Sequence, residues 1–440
     1  MSEARSKTAI DAFAKLLDLT MSENLPGSHA VINHPPTENV AAEPRQADPM
    51  HGKPSEVFQT FLKIGLTAFG GPIAHLGYFE REIIQRRKWL TQNAYGDLVA
   101  LCQFLPGPAS SQVAFALGYL RAGIGGAFAA IAGFTVPSAV LMIAIAYGFQ
   151  AISSQSGFLH GLKLAAVAVV AQAVWTMAVK LCPDRERVTL ALVAACVVLG
   201  SSIAWLQVVV LAAGALFGWI FLRENAGSGE IMPAQRGLHG GWFAWANIAL
   251  YFLLLAGLPL LSAIFQEHWL QLADAFYRSG ALVFGGGHVV LPLLQSQTVS
   301  RGWLDQNTFM AGYGAAQAMP GPLFTFSAYL GTVIGHNWFA GVWCLVWIFF
   351  PSFLLLLGAL PYWSSLRQNA GAQAALRGAN ATVVGILLAA LYNPVWTVAV
   401  DSSVALLIVL AAFGLLQFWK WSPWLLVLLS GIAGFVFLPQ

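Results

Sequence analysis

Phe69-Gly70-Gly71-Pro72 and Leu105-Pro106-Gly107-Pro108 each interrupt an apolar run, and both interruptions return as Phe284-Gly285-Gly286-Gly287 and Met319-Pro320-Gly321-Pro322. Between the first pair stands Arg87-Lys88-Trp89-Leu90-Thr91-Gln92-Asn93; between the second stands Gly302-Trp303-Leu304-Asp305-Gln306-Asn307. The offset is 214 residues for Trp89/Trp303, Gln103/Gln317, Pro106/Pro320 and Pro137-Ser138/Pro351-Ser352, and 215 for Phe61/Phe276, Gly65/Gly280 and Gly70/Gly285. A single indel therefore separates two collinear copies of one module. Duplicated halves with Gly/Pro-interrupted apolar segments are the sequence mark of a secondary transporter, and the interruptions point to its binding site.

Composition fixes the class. Of 440 residues, 58% are hydrophobic and 9% charged, with mean hydropathy +0.67. A soluble domain carries about 25% charge, so most of this chain belongs in lipid. The first 55 residues are polar, which excludes a cleavable signal peptide as their reading. Pro, Glu, Asn, His and Ala dominate Asn24 to Pro54, the composition of a disordered tail; Ile10, Phe13, Leu16 and Leu17 share one helical face ahead of it. Cys102, Cys182, Cys196 and Cys344 lie in or beside apolar segments without metal-ligand spacing and read as buried free thiols. No metal, cofactor or nucleic-acid partner is expected.

After the tail, segments of spanning length fall near 57–79, 95–120, 124–149, 160–181, 188–203, 205–222, 243–265, 272–297, 308–334, 338–360, 375–392, 395–418 and 421–438. The segment 243–265 has no partner in either copy. Crossing once, it delivers the second copy upside down, so inverted repeats are expected. The chain divides into a tail (1–55), a first repeat (56–222), a linker with one transmembrane helix (223–266) and a second repeat (267–440). If every segment crossed, the basic cluster Arg81, Arg86, Arg87 and Lys88 would fall outside, against the positive-inside rule. The breaks leave arms of about 11–12 residues, which reach ~17 Å, half the bilayer core. Re-entrant hairpins at both breaks of each repeat place every basic cluster inside, leaving only Arg301 outside. The expected architecture is thus an all-α polytopic membrane protein: two inverted repeats with broken, re-entrant helices, each with four spanning helices, joined by a linker helix. Non-helical backbone at this depth must be buried in protein or line a cavity.

A helix that restarts after a break aims free N–H groups and its positive dipole end at the break, which makes an anion site. Pro108 is followed by Ser110 and Ser111, and Pro322 by Thr325, whose hydroxyls donate to an oxyanion. Gly70, Gly71, Gly285 and Gly286 let a ligand approach the backbone. The candidate substrate site comprises these residues with Gln103, Pro106, Gly107, Pro108, Gln317, Pro320, Gly321 and Pro322. Two cation positions keep their sign through the duplication: Lys63/Arg278 and Lys163/Arg377. Intramembrane cations are costly and functional by default, and Lys63 and Arg278 join the candidate site. His75, Glu80, Asp97 and His288 break the symmetry and are candidates for proton coupling. No HExxH, GxSxG or Walker A motif is present, so neither an enzyme nor an ATP-driven pump is expected.

Phe69–Pro72, the Trp-Leu pair after a basic run, Gln103–Pro108 and the stretch Gly123–Ser138 together resemble the chromate ion transporter family, in its doubled, long-chain form. The resemblance spans about residues 56 to 438. It implies efflux of chromate across the inner membrane, giving chromate resistance, with sulfate as the isosteric competitor. Gly287 stands where the first repeat has Pro72, which implies that the halves differ in function. A carrier of the same fold for sulfate or another small anion, running inward, is the alternative, and a channel is a third reading. Export of a dianion is favoured by about 4–5 kcal/mol at 100 mV, inside negative.

Overall fold

The computed structural model describes residues 52–151, 157–201, 206–223, 241–284 and 289–438. The tail up to residue 51 and the break residues Gly285, Gly286, Gly287 and His288 lie outside the described residues. Helices make up nearly all of the remainder.

The first repeat opens with α1 (Pro54–Thr67) and α2 (Gly71–Phe79), which runs on as a π-helical segment Glu80–Arg86. Next come α3 (Gln92–Phe104) and α4 (Ala109–Ala151), broken at Ala122 and Gly123. Three further helices complete the repeat: α5 (Gly157–Leu181), α6 (Arg185–Leu199) and α7 (Leu206–Phe221). The linker helix is α8 (Trp242–Phe265). The second repeat follows the same order. It comprises α9 (His268–Ala281), α10 (Val290–Thr298), α11 (Gln306–Gln317), α12 (Phe326–Gly335), α13 (Trp338–Ala359), α14 (Ala370–Ala390), α15 (Ser403–Gln417) and α16 (Pro423–Phe437).

The arms beside the breaks are short. α1 and α9 have 14 residues, α3 has 13 and α11 has 12. At 1.5 Å per residue they reach about 18–21 Å, less than a bilayer core. They slightly exceed the arms expected from sequence. Local chemistry sets their starts: Thr91 caps α3 by accepting from Ala94 N, and Asp305 caps α11 by accepting from Thr308 N. These two caps occupy equivalent positions.

Three segments that read as spanning fold shorter than expected. α6, α15 and α16 have 15 residues each, about 22 Å of helix. The expected segment 395–418 also begins late. Its first residues continue α14 through Ala399, by way of an irregular turn at Asn393, held extended by the proline after it. Cys196 departs from the expectation too: it is exposed, whereas Cys102, Cys182 and Cys344 are buried.

The two repeats exchange helices. α5 packs between α15 and α16 of the second repeat, and α14, its equivalent, packs against α6 and α7 of the first. Small residues permit this intimacy: a Cβ on Gly161 would lie 2.0 Å from Ser430 O, and one on Gly378 2.0 Å from Gly214 O. Lipid supplies no hydrophobic drive between helices, so close small-residue contact carries the association. α8 stays peripheral, with 11% of its span buried against 67% for α14.

α4 carries a second relationship. Its break follows Arg121, which reaches Glu56 at 3.3 Å; Glu56 also meets Arg87 at 3.9 Å, so the hairpin ends of the first repeat converge there. Midway along α4, Ser138 meets the break of the second repeat at Gly321. At the far end, Phe149 packs on Tyr329, and Ala146 and Phe149 face Asn307, Thr308 and His336. One helix thus passes, in order, the open ends of the first repeat's hairpins, the Pro-Gly-Pro break of the second repeat, and the open end of the α11–α12 pair.

Candidate functional site

In Pro-Gly-Pro only the glycine carries an N–H. Both such glycines spend it on the other repeat. Gly107 N donates to Val283 O at 2.7 Å, and Gly321 N donates to Ala68 O at 2.9 Å. The acceptors are the residues just before the two glycine breaks. Gly107 and Gly321 hold φ of 126° and 91°, a region that favours glycine. Ser352 and Ser138, from the repeated Pro-Ser pairs, close over them: an added Cβ would stand 2.5 Å from Ser352 Cβ and 2.9 Å from Ser138 Oγ. The two Pro-Gly-Pro breaks therefore meet the chain ends that follow α1 and α9, at Ala68 and Val283, in one crossing between the repeats.

The crossing is chemically lopsided. On the side of the first repeat, His75 is 1% exposed, with Nδ1 3.4 Å from Ser110 Oγ and its ring edge on Phe134. Gln112 Nε2 donates to Pro106 O at 2.9 Å and Ser352 O at 3.4 Å. Two carbonyl acceptors orient this amide and leave Oε1 as the unpaired end. His75 Nε2, Ser111 Oγ, Gln112 Oε1 and Thr135 Oγ1 are buried with no partner among the described residues. Each unpaired buried group costs about 1–3 kcal/mol, a cost that a bound polar ligand relieves. The equivalent residues of the second repeat are Val290, Phe324, Thr325, Phe326 and Phe349. Four are apolar, and the Thr325 hydroxyl is already bonded to Pro322 O at 2.8 Å.

Lys63 and Arg278 are not drawn into the crossing. They start about 7–8 Å before it along their helices, counting five residues to Ala68 and Val283, and their heads meet acids. Lys63 Nζ lies 3.8 Å from Glu82, which also binds Arg86 and Arg87 at 3.2 Å each. Arg278 and Arg301 share Asp274, which is 2% exposed; Arg278 Nε stands at 3.2 Å and Arg301 Nη2 at 3.3 Å. The two clusters correspond: Arg87 lies 5.9 Å over Trp89, and Arg301 lies 5.1 Å over Trp303. A cavity of about 240 Å³ opens beside Arg278 and Arg301, with Ser279, Ser296 and Ser300 in its wall.

The other candidates scatter. Gln103 is exposed, while its equivalent Gln317 has a buried Nε2 with no partner among the described residues. Glu80 accepts from Gln92 Nε2 at 2.9 Å. Asp97 lies half-buried on α3. Pro106, Pro108, Pro320 and Pro322 flank the crossing glycines, and Gly70 and Gly71 adopt φ of 101° and 76° at the start of α2. Sequence reasoning missed Gln112, Thr135 and Asp274. The repeat comparison held the signal for the first two, as polar residues whose equivalents are phenylalanines. Asp274 has a glutamine, Gln59, at its equivalent position and gave none.

A family model described as chromate transporter matches residues 55–219 and 270–435, once in each repeat. The chromate transport protein of Pseudomonas aeruginosa is 27% identical over 398 residues, 88% of this chain and 92% of the relative. That of Cupriavidus metallidurans is 28% identical over 395 residues, 86% of this chain and 92% of the relative. An uncharacterized transporter of Methanocaldococcus jannaschii is 25% identical over 389 residues, 87% of this chain and 94% of the relative. No solved structure matches the chain.

Proposed function

The chain belongs to the chromate transporter family, and from that premise we propose that it exports chromate, a tetrahedral dianion, across the inner membrane. The observation that carries the reading is the reciprocal crossing of Gly107 with Val283 and Gly321 with Ala68. A pseudo-two-fold meeting of helix breaks is where secondary transporters hold their substrate. The order of contacts along α4 supports inverted repeats, with the hairpins of the first repeat opening inward and those of the second outward.

The anion gathers at the inner cluster of Lys63, Arg86 and Arg87. It passes the crossing on the donors Ser111, Thr135 and His75 and the N–H groups that open α4. It leaves past Arg278 and Arg301. Neutral donors at the centre release an anion more readily than a fixed cation would, because no ion pair has to break. The membrane potential drives each charge outward by about 2.3 kcal/mol per 100 mV. His75 stands where a coupled proton would travel.

Everted vesicles test the reading: chromate accumulates in them, and excess sulfate reduces the uptake. Lys63→Ala and Arg278→Ala impair uptake more than Lys420→Ala does. Absence of accumulation, or equal effects of the three variants, overturns the reading. A sulfate carrier is the second reading, favoured by the same neutral donors, because the two dianions share charge and shape. Sulfate uptake indifferent to chromate decides for it.

A further inference from the structure

Away from the crossing, a cavity of about 320 Å³ lies where the end of α4 meets α5, α11 and α12. Asn307 in its wall is ten residues from Gln317 at the crossing end of α11, about 15 Å along the helix. Lys163 is 8% exposed, and its Nζ donates to Asn307 Oδ1 at 3.0 Å. An ammonium has three donors; Asn307, a neutral amide, takes one. Among the described residues no carboxylate forms an ion pair with Lys163. The nearby acids are engaged elsewhere: Asp305 accepts from Thr308 N and Oγ1, and Asp401 faces His160 Nε2 at 3.8 Å. Phe149, Leu159 and Val333 supply apolar wall, and the Tyr329 hydroxyl is spent on Thr308 O. The equivalent cation behaves differently: Arg377 donates to Leu222 O and to Gln373.

We propose that this cavity binds a small organic monocarboxylate, its carboxylate on Lys163 Nζ and its apolar body against Phe149, Leu159 and Val333. A buried cation with one neutral partner calls for one anionic charge. A tetrahedral dianion is the poorer occupant, because one ammonium leaves most of its oxygens without donors. It is also too small, filling roughly the space of two or three waters at ~30 Å³ each. A mostly apolar cavity with one orienting charge is the common form of a site for small organic ligands. This site is independent of the transported ion.

Calorimetric titration of the full-length protein in nanodiscs tests it, with benzoate and butyrate as probes. Benzoate is expected to bind the parent protein, with affinity at least about tenfold lower in Lys163→Met, the loss of one charge-assisted hydrogen bond. Val333→Phe fills the cavity without touching the charge and is expected to lower benzoate affinity likewise, which covers a Lys163→Met protein that fails to fold. Ser111→Ala, at the crossing, is expected to leave benzoate binding unchanged. Benzoate that does not bind the parent protein, or benzoate affinity indifferent to both cavity variants, overturns the proposal.

Discussion

Gly107 of the first repeat gives its N–H to Val283 of the second, at 2.7 Å, and Gly321 returns the same bond to Ala68 at 2.9 Å. The tripeptides that break the helices therefore also bond one repeat to the other. A side chain at either glycine meets a serine of the other repeat and a backbone angle costly for L-residues, by about 1–2 kcal/mol for the angle alone. Gly107→Ala and Gly321→Ala are expected to lower vesicle uptake at least about tenfold, because small misplacements at a site are costly. Gly77→Ala, with nothing within 4 Å of the added Cβ, is the matched control and is expected to be silent.

The hydroxyls at the crossing without a partner among the described residues, Ser111 Oγ and Thr135 Oγ1, come from the first repeat. Ser111→Ala and Thr135→Val, which remove these hydroxyls, are expected to weaken chromate uptake by about ten- to a hundredfold in apparent affinity, the value of a hydrogen bond to a charged group. Thr325→Ala, at the position equivalent to Ser111, removes a hydroxyl already bonded to Pro322 O and is expected to change uptake little. Initial-rate curves for the three variants separate the two sides.

Asp274 holds two guanidiniums at once while 2% exposed. Removing one partner of a buried ion pair costs about 3–5 kcal/mol, so Asp274→Asn is expected to lower the melting temperature in detergent markedly. Glu82→Gln places at that position the residue found at its equivalent, Gln297, and is expected to cost less.

Asp184 caps α6, accepting from Arg187 N at 2.9 Å and from the Arg187 guanidinium. That guanidinium holds its carboxyl below the ordinary aspartate value of 3.8. A depressed folded-state value stabilises above the ordinary value and is lost as pH falls through the depressed one. Asn still caps a helix, so Asp184→Asn isolates the charge. The difference in melting temperature between parent and variant is expected to hold from neutral pH to about 5 and to shrink below that. A difference unchanged at the acid end contradicts the pairing.

The duplication, the breaks and the unpaired linker helix α8 were legible because glycine and proline mark breaks by chemistry that composition alone reveals. The pairing of Gly107 with Gly321 pointed to the two tripeptides that lie at the crossing. The exchange of α5 and α14 between repeats was not legible, since small-residue faces such as those at Gly161 and Gly378 permit close approach without naming the partner. Nor were the short helices α6, α15 and α16, because hydropathy does not say where a helix stops. Lys63 and Arg278 stand out in the sequence as a retained pair. Glu82 is visible there as an acid without an acidic mate, but its pairing with Lys63 and that of Asp274 with Arg278 are not, because the two acids sit on different arms and one salt-bridge design is built twice from unmatched positions.

The central claim is that the hairpins of the two repeats open to opposite faces of the membrane. Gln85 and Ser300 are equivalent and both exposed. Gln85→Cys and Ser300→Cys, each in a background with the exposed Cys196 changed to Ser, report the two faces directly with a membrane-impermeant maleimide. Gln85→Cys is expected to label in everted vesicles only, and Ser300→Cys in intact cells only. Labelling of both cysteines from one and the same side contradicts the account.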